Sequence, residues 1–427
     1  MAANAGGMAG AVAPLRTMRT RPDPTRPDQL GLPLTGHTNA VHAVAFAPDG
    51  RTLATACTAL VWPVSGGPSW RGRAGPGVHC PQRRRRAGHP AGVGGHPTST
   101  APARGGRRER GTTVTTFVTG GTGFIGSAVV AALVAAGEPV QALTRSSHGA
   151  AAVRRLGAEP VPGDLVAPGD WQRQVRAAGR VVHAAQPATF GGRLTAKVGQ
   201  RYRADRLVQD RALLDALDPT SRLVYLSGNS YFGQTGPDTA RDETMDRHPT
   251  GFGPYVQEAV AEVRRRIDTG LDAVVAFPGA VYGDGAWLAQ YTLTPLRAGK
   301  PVYELGGRPR RTSPIAVTDV ARAVTFLTAQ PAEAFSDTGR LLFLVDDQPL
   351  TFHEINQIAA AALDLPARYR RVPAPLMRLL AGQVGYEYLA TDAVYSNARL
   401  SSLGFQLEHP SAHEGIPALL ATHESTG

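Results

Sequence analysis

Thr119-Gly120-Gly121-Thr122-Gly123-Phe124-Ile125-Gly126 is the stretch that most restricts how this 427-residue chain can fold. A β-branched and aromatic run, Val114 to Thr119, leads into it, and an Ala/Val/Leu segment over 124–136 leaves it as a predicted helix closed by Gly137. Glycines at a G-x-x-G-x-x-G spacing between a strand and a helix build a tight turn under a helix N-terminus. Gly120 permits the turn, Gly123 lets backbone approach a bound group, and Gly126 lets helix and strand pack closely. Free N–H groups at such a helix start face an anion, so the spacing predicts a pyrophosphate cradle. Strand-like runs recur at 139–143, 159–162, 180–184, 222–227, 272–277 and 341–345, with helical segments between most of them. That alternation predicts an α/β protein with a doubly wound parallel sheet.

Charge divides the chain just before the first strand. Of 45 Lys+Arg and 34 Asp+Glu, residues 1–112 hold 15 Arg and 4 acids, leaving 30 of each sign for 113–427. The net +11 therefore belongs to the first quarter. Residues 1–112, mostly Gly, Pro, Ala and Arg and without strand or helix period outside 34–64, are expected to form a mostly disordered basic leader. Its arginine runs (Arg83 to Arg86, then Arg104 to Arg110) lack interleaved aromatics, so nucleic acid is not an expected partner.

Within the leader, residues 34–64 carry a Gly-His pair, an alternating strand, a Pro48-Asp49-Gly50 turn, a second strand and Trp62, and resemble one WD40 repeat. One propeller blade cannot bury its own faces, so the stretch reads as a fragment and not as a working module. A chain opening near Val114 is expected to suffice for folding. The two cysteines, Cys57 and Cys80, both lie in the leader, which excludes a disulfide framework elsewhere and suits a reducing, cytoplasmic setting. His79, Cys80, His89 and His96 match no zinc spacing, and no metal is expected. No apolar run approaches the roughly 20 residues of a membrane helix, and the N-terminus lacks the pattern of a secretory signal.

The TGGTGFIG string in this setting resembles the extended short-chain dehydrogenase/reductases, the NAD(P)-dependent epimerase/dehydratases. The likeness continues through PVQALTR (139–145), Gly163-Asp164-Leu165, VVHAAQ (181–186), RLVYLS (222–227), Phe277-Pro278-Gly279-Ala280-Val281-Tyr282-Gly283 and IAVTDVA (315–321). It implies a Rossmann-type domain over 113–427 with a smaller C-terminal substrate lobe, drawn mainly from 280–315 and 345–424. It further implies a small-molecule substrate, with a homodimer as the assembly left open. The cofactor contacts it implies are Gly120, Gly123, Phe124, Ile125 and Gly126 at the pyrophosphate, Asp164 and Leu165 at the adenine, and Ala184, Ala185 and Pro278. Arg145 follows Thr144 at the end of the second strand with no acid nearby, a pattern that suits a 2′-phosphate and favours NADP, with NAD also allowed.

The family's chemistry uses a Tyr-x-x-x-Lys pair on one helix face and a Ser or Thr after the fifth strand. Here Tyr255 is in place, but the lysine position is Ala259. Counted back from Gly233, the hydroxyl position falls on Gly228, between Ser227 and Ser230, either of which could substitute. The catalytic candidates are thus Tyr255, Ser227 and Ser230. Lys197 and Lys300 are the only lysines, and Lys197 follows the fourth-strand loop, from which it could reach the pocket. A phenol without a neighbouring ammonium titrates near 10, so it serves better as an acid than as a base at neutral pH.

The expected activity is therefore carbonyl reduction by an NADP-dependent oxidoreductase on a small organic or sugar-like substrate. Two alternatives stay open: redox-neutral isomerase, lyase or cyclase chemistry drawing on Tyr255, Tyr282, Asp284 or Glu243, and cofactor binding without turnover. Tyr282, Trp287 and Arg311 are the substrate-side candidates, Arg311 because it resembles the position that holds a phosphate in nucleotide-sugar enzymes.

Overall fold

The computed structural model describes residues 41–46, 53–57, 114–188, 192–283 and 285–424. Strands β1 (Val41–Phe46) and β2 (Leu53–Cys57) pair antiparallel, with an irregularity between Val41 and Ala43. They account for the two strands of the WD40-like stretch; the rest of that stretch and of the leader lies outside the described residues. The hairpin and the main body are separate compact units.

The main body opens with β3 (Thr116–Thr119), the glycine turn and α1 (Phe124–Ala135). It continues through β4 (Val140–Thr144), α2 (Ser147–Arg155), β5 (Glu159–Pro162), α3 (Trp171–Ala177), β6 (Arg180–His183) and α4 (Ala196–Ala216). Next come β7 (Arg222–Leu226), α5 (Gly253–Asp268), β8 (Ala273–Pro278), β9 (Ala280–Tyr282), α6 (Thr294–Arg297), β10 (Val302–Leu305), β11 (Arg311–Thr312) and β12 (Pro314–Ala316). The chain ends with α7 (Val317–Ala329), β13 (Leu341–Leu344), β14 (Leu350–Thr351), α8 (Phe352–Ala362), β15 (Tyr369–Val372), α9 (Ala374–Leu389), α10 (Ala398–Ser402) and α11 (Ala412–Glu424).

Seven strands form one parallel sheet in the order β13-β8-β7-β6-β3-β4-β5. Each of the six later strands begins and ends within one residue of its expected run. Helices cover both faces, so the strands read as continuous apolar runs and not as alternating ones. Alternation still decides which face each residue serves. Phe117, Val181, Tyr225 and Phe277 join one cluster, while Val118, Val182, Val224 and Ala276 join the other with α1 and α7. A third cluster, including Tyr282, Leu288, Val302, Ile355 and Ile416, is built from the C-terminal elements.

Chain order reverses between β3 and β6, which opens a crevice at their C-terminal ends. The glycine turn leaves β3 on one side of it, and Ala184 to Gln186 leave β6 on the other. Strand β13 is the outer edge, and its Phe343 N–H donates to the Glu243 carboxylate at 2.7 Å. Glu243, read as a possible acid or base, thus closes a sheet edge that would otherwise present an unpaired donor. Burial pushes its pKa up to about 7.

One link joins distant parts of the chain. Gly382 breaks α9 with φ +80, and Leu194 fits into the break. Leu194 N–H donates to Ala381 O at 2.8 Å, and Leu194 O accepts from Val384 N–H at 2.9 Å. A β-carbon at Gly382 would lie 2.5 Å from that oxygen, so no side chain is tolerated there. No described helix is long and apolar enough to cross a membrane.

Candidate active site

The glycine turn has the shape its sequence predicts. Gly120 adopts φ +74, and a β-carbon there would meet Ala185 N at 2.5 Å; one at Gly126 would meet Gly120 O at 2.1 Å. Helix α1 has no acidic residue in its first turn and no capping side chain at Gly123, which leaves its N-terminal N–H groups for an anion. These residues fit a dinucleotide pyrophosphate. Beyond the turn, Thr144, Arg145, Ser146, Ser147, Gly163 and Asp164 line a cavity of about 460 Å³. Arg145 is exposed at this cavity. Asp164 also shapes its own turn, accepting Val166 N–H at 3.2 Å. The side chain of Leu165 is in the core, at 5% exposure.

The crevice floor is a buried polar network that the sequence reading did not find. Arg206, on α4, is 1% exposed and donates to Ala185 O at 3.2 Å and Leu226 O at 3.0 Å, the chain segments leaving β6 and β7. Its charge is met by Asp210, one turn along the helix, at 2.8 Å. Burial would raise the Asp210 carboxyl, but Arg206 and hydrogen bonds from His183 and Tyr225 outweigh it and hold the pKa below the usual range. Burial lowers the His183 pKa, which keeps the ring neutral. Facing a carboxylate, Nε2 donates to Asp210 at 2.8 Å, so Nδ1 accepts from the Thr119 hydroxyl at 2.6 Å. Ala185 N–H in turn donates to Thr119 Oγ1 at 3.4 Å.

Above this floor, the turn after β7 packs on the start of α5. Thr250 N–H donates to Ser230 O, and a β-carbon at Gly253 would lie 1.9 Å from that same oxygen. The structure therefore sets the backbone of Ser230 against the start of the helix that carries Tyr255. Ser230 Oγ lies 3.4 Å from where a β-carbon of Gly228 would stand. Tyr395 locks the turn by donating to Asn229 O at 3.1 Å and Gly233 O at 2.7 Å. The ring of Tyr255 lies on α4, where a β-carbon at Gly199 would meet it at 2.4 Å.

Residues 116–338 match the family described as the NAD dependent epimerase/dehydratase family. The chain belongs to this family. Among its relatives, a Stigmatella aurantiaca protein named 4-hydroxy-2-methyl-3-oxo-4-farnesyl-3,4-dihydroquinoline-1-oxide ketoreductase is 29% identical over 272 residues, 62% of this chain and 78% of that protein. The UDP-glucose 4-epimerase of Thermus thermophilus, solved with NAD, superposes with a TM-score of 0.59 at 19% identity, covering 74% of this chain and all of that one. A human epimerase family protein solved with NADPH gives 0.56 at 18%, covering 72% and 99%.

The structure also shows what surrounds Ala259, the two lysines and Phe277. Ala259 is 1% exposed on α5. Lys197 lies exposed on the first turn of α4, two residues before Gly199, so it leaves the helix on a different side from the Tyr255 contact. Lys300 is exposed in the turn after α6. Phe277, where the motif has Arg, is fully buried, stacked on Tyr231 at 5.2 Å and edge-on to Phe232 at 5.0 Å.

Of the residues expected to meet substrate, Tyr282 is 1% exposed with its hydroxyl against Gly415, inside the third cluster. Pro278 is buried at the end of β8. Trp287 is half-buried and meets Phe352 edge-on at 5.3 Å. Arg311 donates to Pro349 O at 3.1 Å. Its neighbours Arg308 and Arg310 both pair with Asp392, whose carboxylate is fully buried and also accepts Arg311 N–H at 3.0 Å. Asp284 lies outside the described residues.

Proposed function

We propose that this chain is an NAD(P)-dependent ketoreductase. The observation that carries the reading is Tyr255 placed beside the β7 turn with a buried alanine, not a lysine, one helical turn on. Without the ammonium, the phenol is a poor base for oxidising an alcohol yet keeps its proton for a carbonyl oxygen. Its hydroxyl makes no hydrogen bond to the described residues, so the proton is uncommitted. The dinucleotide, when bound, supplies the hydride. Tyr255 donates its proton to the carbonyl oxygen as the carbon is reduced, and being half-buried it is reprotonated from solvent. Ser230, whose hydroxyl stands close to the Gly228 side-chain position, orients that oxygen.

Arg145 at the 460 Å³ cavity, with no carboxylate at the end of β4, favours NADPH through its 2′-phosphate. The ketoreductase name of the Stigmatella relative supports the same direction of reaction. Following NADPH absorbance against a panel of ketones and aldehydes tests the reading. Turnover with at least one ketone, and a preference over NADH that Arg145→Ala abolishes, is the expected result. Tight NADPH binding with no carbonyl reduced across the panel would overturn it.

A further inference from the structure

The geometry points to a neutral, flat aromatic ketone, and not a nucleotide sugar, as the substrate of this site; the inference rests on the reductase reading above. A run of aromatic rings can be traced from the cofactor turn toward Tyr255, and its one described charge is the Glu387 carboxylate, which accepts Gly251 N–H at 3.2 Å and would repel a diphosphate. The Phe124 ring, at the end of the glycine turn, comes within 3.0 Å of where a β-carbon of Gly283 would sit. Four residues on, Trp287 meets Phe352 edge-on at 5.3 Å, and Phe352 lies 6.3 Å from Tyr388. Tyr388 Cβ is 3.4 Å from the Gly251 β-carbon position, and Gly251 enters α5 one turn before Tyr255.

Trp287, Phe352 and Tyr388 are each half-buried, which leaves part of each ring open for stacking or edge contact. The Trp287 Nε1–H is buried without a hydrogen-bond partner among the described residues. A diphosphate would need cations free to meet its charge. Arg308 and Arg310 are held by Asp392, and Arg311 is committed to Pro349 O with Glu354 nearby.

Calorimetric titration of the full chain with bound NADP tests this, using 2-acetylnaphthalene and UDP-glucose as probes. The ketone is expected to bind at least tenfold more tightly than UDP-glucose and to quench tryptophan emission, with the quench lost in Trp287→Phe. Phe352→Ala should weaken ketone binding about tenfold. If Phe352→Ala does not fold, Phe352→Leu keeps the volume, and a severalfold loss is expected. UDP-glucose binding the tighter of the two, or ketone affinity unchanged in a folded Phe352 variant, would overturn the inference. Ketone binding without NADPH consumption would leave the substrate class standing and remove the reductase reading.

Discussion

Tyr255 depends on a residue that carries no chemistry. Its ring rests where any side chain at Gly199 would stand, so Gly199→Ala must push ring or helix aside. Overpacking of this kind costs about 1–3 kcal/mol. The expected outcome is a lower Tm and a kcat reduced more than KM is raised, because in the proposed reaction the displaced group donates the proton. Tyr255→Phe removes the hydroxyl without changing the ring, and should lower kcat by about 10²–10⁴ with Tm unchanged. Steady-state kinetics and thermal melts on both variants check these outcomes. At this scale the sequence was informative where backbone shape decides the residue, as at Gly120 and Gly126. It was silent on side-chain partners across the fold. Phe277 gives no hint of the stack with Tyr231 until the β7 turn is folded over β8.

Helix α4 ties together the ends of two strands. The Arg206 guanidinium holds carbonyls after β6 and at the end of β7, and Asp210 compensates its charge in the interior. Arg206→Met would leave Asp210 buried and uncompensated, a loss of about 3–5 kcal/mol. Arg206→Met combined with Asp210→Leu should recover much of that stability but not kcat, because both loops lose their tether. Chemical denaturation and kinetics on the single and double variants separate these effects. An Arg and an Asp four residues apart look, in sequence, like an ordinary exposed helix pair. Only the packing of α4 against the sheet reveals that this pair is buried. The same limit applies to Arg308 to Arg311, which read as an anion site because their buried partner, Asp392, lies some 80 residues away.

For the whole molecule, two buried carboxyls set the response to pH. Burial raises Glu243 to about 7 and Asp346 to about 8, from ordinary values of 4.5 and 3.8. The folded state therefore binds protons more tightly than the unfolded chain across this window. Their stabilising effect is complete below about pH 4 and is lost as pH rises through 7 and 8. Between pH 6 and 8 the decline should be on the order of 2 kcal/mol, and Asp346→Asn should flatten it. Asp210 and Asp392, held low, oppose this trend only in acid. Denaturation midpoints across pH measure the slope. Removing residues 1–112 should shift Tm by no more than about 2 °C, since the described residues of the seven-stranded sheet and of the three apolar clusters lie beyond them. The sheet was legible because local apolar period sets it. The substrate side was not, since short strands such as β9 to β12 are defined by partners far along the chain.

The lock on the β7 turn has a consequence for biosynthesis. Tyr395 closes that turn from more than 160 residues downstream, and the α9 break grips Leu194 across a similar span. A chain emerging from the ribosome N-terminus first can assemble β3 to β7 early. It cannot fix the loops that hold the catalytic candidates until α9 and the segment after it have been made. Emergence of the segment around Tyr395, more than formation of the sheet, is the moment at which these loops acquire their shape.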